Sequence, residues 1–271
     1  MAFGRLPGTW CSIWRSVAAL ALVLTFAGSL AAAEHPQIAK RRAAEQKSFT
    51  DAQIAEGFFK LTFGSELQIS GRSDRIRKFD QPVRVFIDNR AKPDRRREVG
   101  AVLDDIKRRI EHLDIALAAT RDKANLNVTL VRDRDLGKTI RSIYGAERAR
   151  SIQKSLEPQC LSSFRRDDTF RIANAEVILV ADAGEFVFYD CAYEEMLQAL
   201  GPINDDSTVR WSMFNDKVHL GFFGVYDQYI LNLLYHPRIR PGMTRAEVEA
   251  LLPSVLPEVR TFVAKTNGLQ P

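Results

Sequence analysis

Apolar residues recur at intervals of three and four from Val99 through Val102, Leu103, Ile106, Ile110 and Leu113 to Leu117. That spacing predicts an amphipathic helix over 95–118. Before it, Val83, Val85 and Ile87 alternate with polar residues in "PVRVFID" (82–88), and after it comes "LNVTLVRD" (126–133). Both read as strands. A strand, a long helix and a strand in that order predict a crossover unit with parallel pairing.

The same reading extends along the chain. Thr50 is placed to cap a helix carrying Ile54, Phe58 and Leu61. Residues 135–155 have a weaker helical period. "CLSSFRRDDTFRI" reads as irregular, "AEVILVAD" (175–182) as a buried strand, and "AGEFVFYDC" either extends that strand or turns back. "CAYEEMLQALGPINDD" (191–206) is a helix stopped by Gly201-Pro202, a common stop signal. A long loop, a helix over 225–237 and a last helix follow, the last opened by a Thr244/Glu247 capping box. Residues 34–48 are polar and predicted to be without fixed structure. The expectation is an α+β (mixed α/β) single domain over 49–271.

Composition sharpens the picture at the N-terminus. Arg5 and Arg15 precede an apolar run that ends in Ala31 and Ala33, an A-x-A pattern before Glu34. This is the pattern of a secretory signal peptide over 1–33. The run is about 17 residues, at the short limit for a span, so the expectation is a periplasmic or secreted protein with no permanent membrane span. The 39 Lys and Arg less the two in that segment, against 34 Asp and Glu, leave +3. So mild an excess gives no case for nucleic acid. The densest cluster, "KPDRRRE" (92–98), reads as a solvated helix face. Two cysteines remain, Cys160 and Cys191. In an exported chain that count suggests one disulfide, with two buried free thiols as the alternative.

The helix at 191–201 and the residues just past it carry the candidate chemistry. Residues at i and i+4 share a helix face, which is how H-E-x-x-H aims two imidazoles at one zinc with the Glu as general base. Here the two imidazole positions hold Glu194 and Gln198, the base position holds Glu195, Gly201 matches the motif glycine, and the third-ligand position holds Asn204. Met213 follows in a loop, and the next helix ends in Leu-Tyr. This order resembles the metzincin metalloproteases. A closer resemblance is to the domain of unknown function 2927 family of exported proteobacterial proteins, through "FFKLTFGSEL", "CAYEEMLQALGPIND", "SMFND" and "LLYHPRIRPGMT". That resemblance brings no activity. The metzincin one implies a zincin-like fold, a Met-turn at Met213 and a substrate cleft beside an edge strand.

One carboxylate and two amides are poor zinc ligands, and the chain holds only four His, namely His35, His112, His219 and His236. No metal and no cofactor are expected. G-x-S-x-G, P-loop and C-x-x-C patterns are absent from the sequence. Acids near a helix start also have a purely electrostatic explanation, and Gln198 has one in a bond to Glu194. The expectation is a non-catalytic envelope protein that binds an extended peptide or another envelope component. Glu194, Gln198, Asn204, Asp205 and Met213 are its cleft candidates. The alternatives are an unconventional hydrolase using Glu195, and a purely structural envelope protein. Oligomeric state is not legible.

Overall fold

The structure, a computed structural model, describes residues 34–63, 74–155, 159–202 and 204–270, together with Met1 and Gly4. The expected signal segment and the end of "FFKLTFGSEL" thus lie outside the described residues. Glu34–Pro271 form one compact unit. No helix among the described residues is long and apolar enough to cross a membrane.

The centre is a five-stranded sheet of β1 (Val83–Asn89), β2 (Ile115–Leu117), β3 (Leu126–Val131), β4 (Cys160–Arg166) and β5 (Ile172–Val180), in the order β2-β1-β3-β5-β4. The expected parallel crossover is present, with β1 paired to β3 from Val85↔Leu126 to Asn89↔Leu130. β2 and β5 extend the parallel set, and β4 runs antiparallel at one edge. The α+β architecture expected from the pattern is the one observed.

Strand alternation separates two cores. Val83, Val85, Val128, Val177 and Leu179 face the larger one. Helices α2 (Asp51–Thr62), α3 (Arg96–Arg109), α6 (Glu185–Gln198), α7 (Val225–Tyr235) and α8 (Arg245–Asn267) contribute to it. On the opposite face α4 (Leu136–Tyr144) and α5 (Ala146–Ser155) cover Val131, Leu161, Ile178 and Val180. Every residue of α7 is buried, the polar Asp227, Gln228 and Asn232 included, and each of these three is hydrogen-bonded.

Four expectations are corrected. The long helix stops at Arg109, although the apolar period continues to Leu117. The buried Asn232 of α7 is the reason. Its Nδ2 donates to Arg109 O at 2.8 Å, and its Oδ1 accepts from Glu111 N at 2.9 Å. A tertiary partner thereby satisfies groups at the helix end, and Ile115–Leu117 leave as a strand. "CLSSFRR" is not irregular but is strand β4. "EFVFYDC" neither extends β5 nor turns back. It is the first half of α6, entered through Gly184 at φ 97°. Finally, the lead-in is not structureless. Pro36–Ala43 form helix α1, with Ile38 buried and Arg42 4.2 Å over the Phe222 ring.

Candidate functional site

The early start of α6 changes the meaning of its acids. Glu194 and Glu195 lie in the third turn, far from the N-terminus. The helix dipole does not stabilise them there, so the simple electrostatic account of these residues fails. Asp190, Glu194 and Gln198 recur every four residues and share one stripe.

That stripe is fixed against the edge of the sheet. A disulfide joins Cys191 to Cys160, the first residue of β4, with Cα atoms 5.8 Å apart. The suggested disulfide is therefore present and the free-thiol alternative is not. Two residues along β4, Ser162 Oγ donates to Gln198 Oε1 at 3.2 Å, while Gln198 Nε2 donates to Asp205 Oδ1 at 2.8 Å. Both ends of the buried amide are used, which fixes its orientation and that of Asp205. Gln198 makes these bonds rather than the expected one to Glu194.

Glu194, Asp205 and Asp216 each present a carboxylate oxygen, and the three oxygens lie within 4.8 Å of one another. Burial pushes the Glu194 carboxyl well above the usual carboxylate range, and Glu195, Asp205, Asp190 and Asp216 add to the shift. Like charges so close disfavour full ionisation unless a cation or a proton is shared. A carboxylate-only donor set suits a hard cation or an ammonium group, not zinc.

One turn earlier, Asp190 Oδ2 lies 2.7 Å from His219 Nδ1, and Asp190 Oδ1 accepts from Gly221 N at 3.0 Å. This pair fixes the loop after α6 onto the helix. Burial raises the Asp190 pKa, partly offset by His219.

Not every candidate joins the cluster. Asn204, in the third-ligand position, turns away and donates to Lys60 O at 2.9 Å. Its neighbour Asp205 takes the place. Glu195 is 7% exposed within the helix packing. Met213 is buried in the larger core, and its N–H donates to Asp227 Oδ2 at 3.1 Å. Sequence reasoning missed Asp216 and Asp190. Asp216 is the last residue of the quoted "SMFND", but a spacing rule confined to one helix could not tie it to Glu194.

A family model described as protein of unknown function (DUF2927) matches residues 51–254. No curated protein and no solved structure matches the chain.

Proposed function

The chain belongs to the DUF2927 family, and from that footing we propose that it is a non-catalytic envelope protein built on a zincin-like plan without zinc, which binds an extended peptide along β4. The observation that carries this reading is the edge position of β4. Among the described residues only β5 pairs with it. One row of its backbone groups is thus available for strand addition, with side-chain pockets setting preference. The edge strand is tied to α6 by the disulfide and by the Ser162–Gln198 bond.

What supports the zincin-like plan is order. β1, α3 and β3 come first, α6 follows β5 directly, Met213 lies in the loop after α6, and α7 closes on Leu234-Tyr235. What argues against catalysis is chemistry. No imidazole stands among Glu194, Gln198 and Asp205, and without a metal-polarised water Glu195 has no activated nucleophile to deprotonate. The acids instead complement a Lys or Arg side chain of the bound peptide.

The test is fluorescence polarisation with extended peptides that differ only in one Lys against one norleucine. The Lys peptide is expected to bind more tightly. Glu194→Gln or Asp205→Asn should lower its affinity about tenfold, a change of about 1.4 kcal/mol, with less effect at high salt. Equal binding of both peptides in all variants overturns the charge reading. Absence of peptide binding leaves the structural role. Cleavage abolished by Glu195→Gln, with one zinc per chain by elemental analysis, replaces the proposal with the hydrolase.

A further inference from the structure

We propose a second ligand site, on the sheet face opposite α6, that takes a neutral polyhydroxylated molecule of the saccharide class. Strand register assembles it. Phe86 of β1 pairs with Asn127 of β3, Asn127 with Glu176 of β5, and Glu176 with Ser163 of β4. Register partners share a sheet face, so one polar row crosses four strands and begins at a phenyl ring. Contacts tie the row together. Asn127 Nδ2 donates to Glu176 Oε1 at 3.0 Å, and the Tyr144 hydroxyl of α4 lies 2.8 Å from Ser163 Oγ. Phe86, Asn127, Ser163 and Glu176 are all partly exposed.

Two atoms point to a ligand. Asn127 Oδ1 and, one row on, Thr129 Oγ1 are buried with no hydrogen-bond partner among the described residues. Thr129 is 1% exposed. Buried polar groups are nearly always satisfied, and two orphans on adjacent rows of one face call for a partner. Neither atom is needed by the sheet ladder, which uses the backbone alone.

Charge and shape select the class. Asp88, paired in register with Thr129, is held by Arg90 at 2.6 Å and Arg121 at 2.7 Å. Arg121 also lies 5.6 Å over the Phe86 ring. Burial raises the Glu176 pKa, opposed by Asn127 and the nearby arginines. Acids and arginines thus offset one another, which disfavours a strongly charged ligand. What remains is a carboxylate, an amide, hydroxyls and a guanidinium beside an aromatic wall. Such a set donates to and accepts from neighbouring hydroxyls, while the ring meets apolar C–H groups. The Tyr144 phenol, its pKa pushed up to about 12 by burial, keeps its proton at neutral pH.

The site is independent of the β4 peptide reading, and the experiment keeps the two apart. Full-length protein is examined by saturation-transfer NMR and calorimetric titration with chitotriose and maltotriose as probes. At least one probe should receive saturation at its ring protons. Glu176→Gln and Phe86→Leu should each weaken it about tenfold while the protein still unfolds cooperatively from the same secondary structure. Thr129→Val, which keeps shape and removes the hydroxyl, should weaken the same probe. A peptide seated on β4 should not compete. Failure of both probes at millimolar concentration overturns the proposal. So does binding that none of the three variants alters, and a Thr129→Val protein that is more stable with unchanged affinity marks the hydroxyl as a packing defect instead.

Discussion

At the scale of single residues, two positions carry more than their sequence suggests. Gly57 in α2 faces the fully buried Tyr226, and a Cβ there would sit 1.9 Å from the phenol oxygen. Tyr226 has little room to retreat. Its hydroxyl donates to Gln53 O at 2.8 Å and its ring packs on Phe49 and Trp211. Gly57→Ala should therefore destabilise the protein by about 2–4 kcal/mol, from overpacking plus a lost hydrogen bond. Thermal unfolding measures this, and Tyr226→Phe in the same chain should restore part of it. The second position is Asp205. Because Asp205 faces Glu194 and Gln198 whereas Asn204 turns to Lys60, placing His at 194, 198 and 205 should create zinc affinity. His at 194, 198 and 204 should not. Zinc titration against a chromogenic chelator separates the two triples. The sequence offered Asn204 and Asp205 side by side, and only their tertiary partners, Lys60 O for one and Gln198 for the other, decided between them.

At the scale of elements, the joints between helices and strands are the sensitive points. The Cys160–Cys191 bond spans 31 residues and couples α6 to the edge strand. Replacing both cysteines by Ser should cost roughly 3–4 kcal/mol on the chain-entropy account, and peptide affinity should fall with it. Non-reducing peptide mapping together with urea unfolding checks both statements. A second joint lies at the start of α7, where Gly224 supplies no side-chain cap and Glu45 Oε1 accepts from Val225 N at 2.5 Å. A residue from the lead-in thus caps the most buried helix. Glu45→Ala should cost about 1 kcal/mol, the usual worth of a cap, read as a lowered urea midpoint. Nothing local in "AKRRAAEQK" announces this, because the partner lies 180 residues away.

At the scale of the whole molecule, buried acids set the pH response. Asp227 is fully buried, bonded to Ser212 Oγ at 2.5 Å and Met213 N at 3.1 Å, and burial pushes its pKa up to about 7. Burial raises Glu194, Glu45, Asp190 and Glu176 in the same direction. An acid whose folded pKa exceeds its unfolded value holds its proton more tightly when folded. Its contribution is complete below the unfolded pKa and declines as pH rises through the folded one. His236, lowered mainly by burial, works the opposite way near neutrality, but the raised acids outnumber it. Stability should fall between pH 5 and pH 8, and Asp227→Asn should flatten that slope. Urea midpoints across the interval measure it. At the acid end, Asp88, Asp94 and Asp114, each held low by arginine partners, should withdraw their support as they protonate.

Periodicity and caps alone determined much of this protein. The α2 and α8 starts at Thr50 and Thr244, the β1 and β3 strands and their parallel pairing, and the candidate face of Glu194 and Gln198 all follow from local spacing. Local signals suffice there because a side chain's face within one element depends only on the repeat of that element. Tertiary structure decided the rest. It ended α3 at Asn232, made "CLSSFRR" an edge strand against β5, turned "EFVFYDC" into helix with Phe188, Asp190 and Cys191 buried, and brought Asp216 to Glu194. Each of those outcomes depends on a partner remote in sequence, and burial energy there exceeds the few tenths of a kcal/mol by which propensity favours one local form over another.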